Sequence, residues 1–222
     1  MNFKNQRQVK SKNRVVEHGE VLTAECEVNA MLDLVKHETE RIDSRFLEPA
    51  CGNGNFLAEI LNRKLNKVQE QYGRDQFDYE KYSVLAVTSI YGVDLLPDNI
   101  KECVLRLFNI FDKEYTNNCK VEATEECRQA IRYILQRNIL CGDALTMKTA
   151  DGNPIIFSEW SFISGDLLKR RDFRFDELLQ GHQEHRNLFM QGWEYDDEVK
   201  AYIPLPVKEF PPVHFKKVSS YD

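Results

Sequence analysis

The string Glu48-Pro49-Ala50-Cys51-Gly52-Asn53-Gly54-Asn55-Phe56 combines a carboxylate, two closely spaced glycines and the start of an apolar-faced run. Gly52 and Gly54 let the backbone turn tightly and approach a ligand with no Cβ in the way. A helix starting at Asn55 aims its free N–H groups into the same space. Glu48, at the end of a preceding strand, can accept hydrogen bonds from a cationic ammonium group. A second acid, Asp94, closes Tyr91-Gly92-Val93-Asp94. A carboxylate at a strand end accepts hydrogen bonds from both hydroxyls of a ribose. It stands further along than the roughly 20 residues of a compact nucleotide-binding unit, which makes the charged stretch through residue 82 an insertion. A third acid, Asp143, follows Ile139-Leu140-Cys141-Gly142.

These residues need strands and helices to bring them together. Val28, Met31, Leu32 and Val35 fall at helical spacing between Glu25 and Arg41. Phe46-Leu47 reads as a short strand entering the glycine turn. Phe56, Leu57, Ile60, Leu61, Leu65 and Val68 form one apolar face of the helix that leaves it. Ser83–Thr88 with Ile90–Asp94 reads as one strand-like stretch, the second of the chain. Pro97-Asp98 begins another helix, and Thr124 caps a further one that runs to about Gln136. Residues 138–141 predict a third strand and residues 154–160 a fourth. Phe175 to Met190 predicts a helix. Pro204, Pro206, Pro211 and Pro212 argue against regular structure near the C-terminus.

Strands alternating with helices imply an α/β fold with a doubly wound, mainly parallel, Rossmann-like sheet and ligands at the carboxyl ends of its strands. The expected organisation is a basic flexible arm over residues 1–17, one α/β domain over 18–175, and a helix with a proline-rich extended arm over 176–222.

The string from Glu48 to Phe56 resembles the first motif of the class I DNA adenine methyltransferases, [D/E]-P-A-C-G-x-G-x-F/L. It matches at Glu48, Pro49, Ala50, Cys51, Gly52, Gly54 and Phe56. The resemblance implies an S-adenosylmethionine site in which this turn wraps the methionine part. It also implies that Asp94 holds the ribose and that Asp143 receives the exocyclic amine of the cofactor's adenine. His18-Gly19-Glu20-Val21-Leu22-Thr23-Ala24 is similar to the family's G-E-x-F-T-P entry motif, with Thr23 retained beside the methionine end and placed to cap the next helix. The family's activity is methyl transfer to the adenine amine of DNA in restriction–modification systems, with specificity supplied by a separate recognition domain or subunit.

One family element is missing. The Asn-Pro-Pro-Tyr tetrad that polarises the target amine and stacks on the flipped base has no counterpart. Gly152-Asn153-Pro154-Ile155 lies on the wrong side of the fourth strand. Ser158-Glu159-Trp160 occupies the tetrad's place, which makes Trp160 a candidate for stacking on a base and Glu159 a candidate acceptor for its amine. The alternative for Trp160 is a core position.

Net charge is -6, which argues against strong unaided binding to nucleic acid. Lys4, Arg7, Lys10, Lys12 and Arg14, and the cluster Lys169-Arg170-Arg171 with Arg174, are the places where phosphates could be met. Six cysteines without a C-x-x-C pair predict free thiols and a cytoplasmic protein. No apolar run reaches the roughly 20 residues of a membrane span. His182 and His185 lack a third ligand, and Trp193 to Glu198 reads as a solvated acidic segment. Two functions follow as expectations. One is a small DNA adenine methyltransferase working with a restriction or specificity partner. The other is a catalytically incomplete module of the same fold acting through a partner. Methylation of a small molecule or a protein is a third.

Overall fold

The computed structural model describes residues 10–180, 193–196 and 201–221. The chain begins with helix α1 (Lys12–His18), followed by α2 (Glu25–Asp33) and the single turn α3 (Lys36–Thr39). Strand β1 (Phe46–Glu48) leads through the glycine turn into α4 (Asn55–Tyr72) and then α5 (Gln76–Thr88). Strand β2 (Ile90–Asp94) is followed by α6 (Pro97–Cys119), α7 (Glu125–Asn138) and strand β3 (Ile139–Cys141). These three strands form a parallel sheet in the order β1-β2-β3, with Glu48 beside Gly92 and Asp94 beside Cys141. The molecule is therefore mixed α/β, and all three strand ends that carry chemistry emerge on one side.

Side-chain alternation in β2 divides the interior. Ile90 faces the larger core, where Leu57, Leu61, Leu107, Phe111, Ile131 and Ile134 of the surrounding helices are fully buried. Tyr91 and Val93 face a smaller cluster with Ile155, Phe157 and Phe175. Helix α7 starts where the sequence places its cap, since the Thr124 side chain accepts from the Cys127 N–H.

The largest sheet is antiparallel, a departure from the mainly parallel arrangement expected. Strand β4 (Ile156–Ser164) pairs with β5 (Leu167–Arg174), which also pairs with two short strands, β8 (Lys208–Glu209) and β9 (Val213–His214). The fourth strand thus does not extend the parallel sheet. It is a hairpin, turned back on itself at Gly165-Asp166. Helix α8 (Phe175–Gln180) follows β5, and β6 (Trp193–Asp196) pairs with β7 (Ala201–Pro204) as a separate ribbon.

Three further expectations change. Ser83–Thr88 is helical, the end of α5. Asp75 caps that helix by accepting the Asp78 N–H, and the helix is buried between α4 and α7, so the packing overrides the β propensity of its valines. The basic arm is a helix from Lys12 on, while residues 1–9 lie outside the described part. The proline-rich C-terminus is ordered: a 3-10 helix over Phe215–Tyr221 buries Phe215 and Val218 against α7. Of the helix predicted to Met190, α8 accounts for residues up to Gln180; His182 and His185 lie outside the described residues. Among the described residues no helix is long and apolar enough to cross a membrane, and all six cysteines are free.

Candidate functional site

A cavity of about 490 Å³ opens at the carboxyl ends of the three parallel strands. Four segments wall it: Gly19–Thr23, the turn from Glu48 to Phe56, Asp94–Leu96 with Asn99, and Gly142–Leu145. Thr23, Glu48, Pro49, Ala50, Cys51, Gly52, Phe56, Asp94 and Asp143, widely separated in sequence, all line this one space. Gly54 sits beneath the wall instead. Its φ of 84° is left-handed, and a Cβ there would stand 2.6 Å from the Cys103 Sγ of α6. Only glycine lets the chain turn into α4 this close to α6. Gly52 is also left-handed, at φ 52°.

Asp94 ties the walls together. Its Oδ2 accepts the Gly52 N–H at 2.9 Å, and its Oδ1 accepts from the Leu96 N–H at 2.9 Å and from Asn99 Nδ2 at 3.0 Å. Asn99 is buried and also donates to Glu20 Oε1 at 2.7 Å. Asp143 accepts from the Leu145 N–H at 2.9 Å and the Thr146 hydroxyl at 3.0 Å, and these bonds hold its carboxyl below the usual range. Glu48 is shifted the other way. Burial raises its pKa, and the Ala50 N–H only partly opposes this. Glu20 is held low, first by its hydrogen bond to Arg14. The Cys51 thiol is pushed up by its neighbour Cys103 and by burial, so it is an inert thiol. Thr23 does not cap α2. Its carbonyl accepts from Asn55 Nδ2 at 2.8 Å, which fastens the entry segment to the start of α4.

The charge of the cavity is one-sided. Glu20, Glu48, Asp94 and Asp143 line it, and no lysine, arginine or histidine does so among the described residues. Such walls favour a cation and disfavour a phosphate-bearing ligand. Asn53 contributes a buried Oδ1 with no hydrogen-bond partner among the described residues. Glu20 and Asn99 were not singled out from the sequence. Glu20 lies within the string His18–Ala24, where Thr23 is the more recognisable residue, and a helix-start asparagine carries no signal of its own.

The candidate catalytic pair is not at this cavity. Trp160 is 4% exposed, belongs to the main core and donates its Nε1–H to Asn138 Oδ1 at 2.9 Å. It cannot stack on a base there, so that expectation is withdrawn. Glu159 bonds to Arg45 at 2.6 Å and Arg171 at 3.1 Å, beside a separate groove of about 830 Å³ that includes Phe46 and Leu47. The basic cluster is likewise engaged in ion pairs. Arg170 is buried, forked on Asp172 with two bonds of 2.8 Å and lying 4.2 Å from the Phe210 ring centre. Lys169 pairs with Glu209 at 3.0 Å and Arg171 with Glu159. Lys169 and Arg171 share one face of the hairpin, each held by a carboxylate, while Arg170 turns to the buried face, so the three form no common phosphate-binding surface.

No protein-family model matches this chain, and no curated protein or solved structure matches it.

Proposed function

We propose that the cavity binds S-adenosylmethionine and that the chain is a protein of the class I methyltransferase type. The observation that carries this reading is the acid-only lining at the ends of three parallel strands. A sulfonium nucleoside bearing an ammonium group suits Glu48, Asp94 and Asp143, with Glu20 paired to Arg14 behind the wall, whereas a dinucleotide's pyrophosphate finds no cation on the lining. The α4 N-terminus beside Gly52 and Asn53 offers N–H groups to the one anionic group such a ligand carries. In this reading Glu48 and the glycine turn hold the methionine end, Asp94 the ribose and Asp143 the adenine amine. The sheet order β3-β2-β1 is that of the first half of a doubly wound sheet, which is compatible with a Rossmann-like fold. Six free thiols fit a reducing, cytoplasmic setting.

Methyl transfer to the adenine amine of DNA, within a restriction–modification type system, is the reaction the resemblance implies. A second reading is favoured by the burial of Trp160 and the pairing of Glu159: a cofactor-binding module whose acceptor-handling groups come from a partner. Calorimetric titration with S-adenosylmethionine, its demethylated product and NAD separates these chemistries. Heat with the first two and none with NAD is expected. No heat with either sulfur compound removes the proposal. Transfer of radiolabelled methyl to mixed-sequence DNA by the chain alone then decides for the catalyst over the module.

A further inference from the structure

Helix α1 is held by charge rather than by apolar packing. Its Val16 is 85% exposed. Lys10 Nζ, just before it, reaches Asn99 Oδ1 at 2.7 Å and Glu102 at 2.6 Å. Arg14 binds Glu20 in a fork, Nη2 lying 2.9 Å from Oε1, and also reaches Asp98 at 2.5 Å and Asn99 Oδ1 at 3.1 Å. Two cations thus pin α1 to the first turn of α6. The segment that leaves α1, Gly19–Thr23, is a wall of the cavity. Asn99 stands at the centre. Its amide oxygen accepts from the α1 cations, and its amide nitrogen donates to both Glu20 and Asp94. Asp94 in turn holds Gly52 of the opposite wall. The hydrogen bonds therefore run unbroken from Arg14 to the glycine turn.

We infer that α1 is a strap on the cavity, latched through Asn99, and that its docking and the binding of a sulfonium nucleoside strengthen each other. The inference rests on the S-adenosylmethionine reading of the same site. The physical reason is preorganisation. Releasing α1 frees the Gly19–Glu20 end of one wall and the orientation of the Glu20 carboxylate, while Thr23 stays fastened to Asn55, and a ligand must then order that end on binding. Glu20 stands between Arg14 and the cavity, so its charge screens the ligand's cation from the strap's. By linkage, a ligand favoured by the docked strap must favour docking in return. Lys10 and Arg14 thus act on the site from within.

Titration with S-adenosylmethionine of the native chain, Arg14→Gln, Arg14→Lys and Lys12→Gln tests this. Arg14→Gln is expected to weaken binding about tenfold, within the usual range of such couplings. Arg14→Lys restores part of the loss, because the charge returns without the fork. Lys12→Gln, on the exposed side of α1, leaves affinity unchanged. In the native chain, saturating ligand is expected to slow hydrogen exchange at the amides of Val15 and Gly19, a response that a purely structural Arg14 would not give. Equal affinities for native and Arg14→Gln chains, or exchange at α1 indifferent to ligand, overturn the strap and leave the cofactor reading standing. Absence of any heat with the native chain overturns both.

Discussion

The Gly52 N–H donates to Asp94 Oδ2 at 2.9 Å across 42 residues of chain. A glycine chosen for its turn and an acid at a strand end are thus one unit. The acid shapes the loop that walls the cavity while itself lining that cavity. Replacing it therefore changes the wall as well as removing a contact.

Asp94→Ala is expected to weaken S-adenosylmethionine binding at least about tenfold, or about 1.4 kcal/mol. Calorimetry on the folded variant reads the change. Unchanged affinity would show that the ribose lies elsewhere.

Glu48→Gln keeps the shape of the site and removes one of its four acids. Affinity for the cationic cofactor should fall, with a smaller effect on the neutral demethylated product. Because burial raises the Glu48 pKa, the native chain should lose affinity as pH falls through mildly acid values, earlier than an ordinary carboxyl would dictate. Glu48→Gln should flatten that loss, which titrations at several pH values would reveal.

Trp160 fills the core and satisfies Asn138. Trp160→Ala is expected to cost about 3–5 kcal/mol in urea unfolding. Cofactor affinity of the folded fraction should not change. A mild cost together with lost methyl transfer would restore Trp160 to the active site.

Arg170→Ala should leave Asp172 buried without its partner, at a cost of about 3–5 kcal/mol. The double change Arg170→Met with Asp172→Leu should cost less than Arg170→Ala alone. DNA affinity measured by fluorescence anisotropy should be insensitive to that double change, since Arg170 is not presented to a phosphate.

Lys64 is fully buried on α4, with its Nζ 3.0 Å from the Ile42 carbonyl and 2.6 Å from the Ser89 hydroxyl. Burial pushes its pKa down to about 7. The unfolded chain, with an ordinary lysine near 10.4, then binds more protons than the folded one above pH 7. Stability should rise with pH between about 7 and 7.5, before the thiols of the unfolded chain, with an ordinary pKa near 8.5, begin to ionise and oppose the trend. Urea midpoints across that window check it, and Lys64→Met should remove the slope.

Much of the site was legible because it depends on local chemistry. A glycine in a left-handed turn, a carboxylate at a strand end and a threonine at a helix start are each forced by backbone geometry within a few residues. That is why Glu48, Gly52, Gly54 and Asp94 stand out from residue types and spacing, whereas Asp143 enters only through the family resemblance, and why the cap at Thr124 is legible while the one expected at Thr23 is not made. The strand expected at Ser83–Thr88 failed because a short apolar run has no period of its own, and burial between two helices decided in favour of α5.

What the amino-acid sequence determined by itself was the order of turns, caps and strand ends, since these are contests between neighbours along the chain. Only the tertiary structure decided which acids share a cavity, that Trp160 and Arg170 turn inward, and that Lys10 and Arg14 reach α6. Those outcomes depend on which surfaces exclude water against each other, and side chains distant in sequence carry no mark of the partner that will bury them.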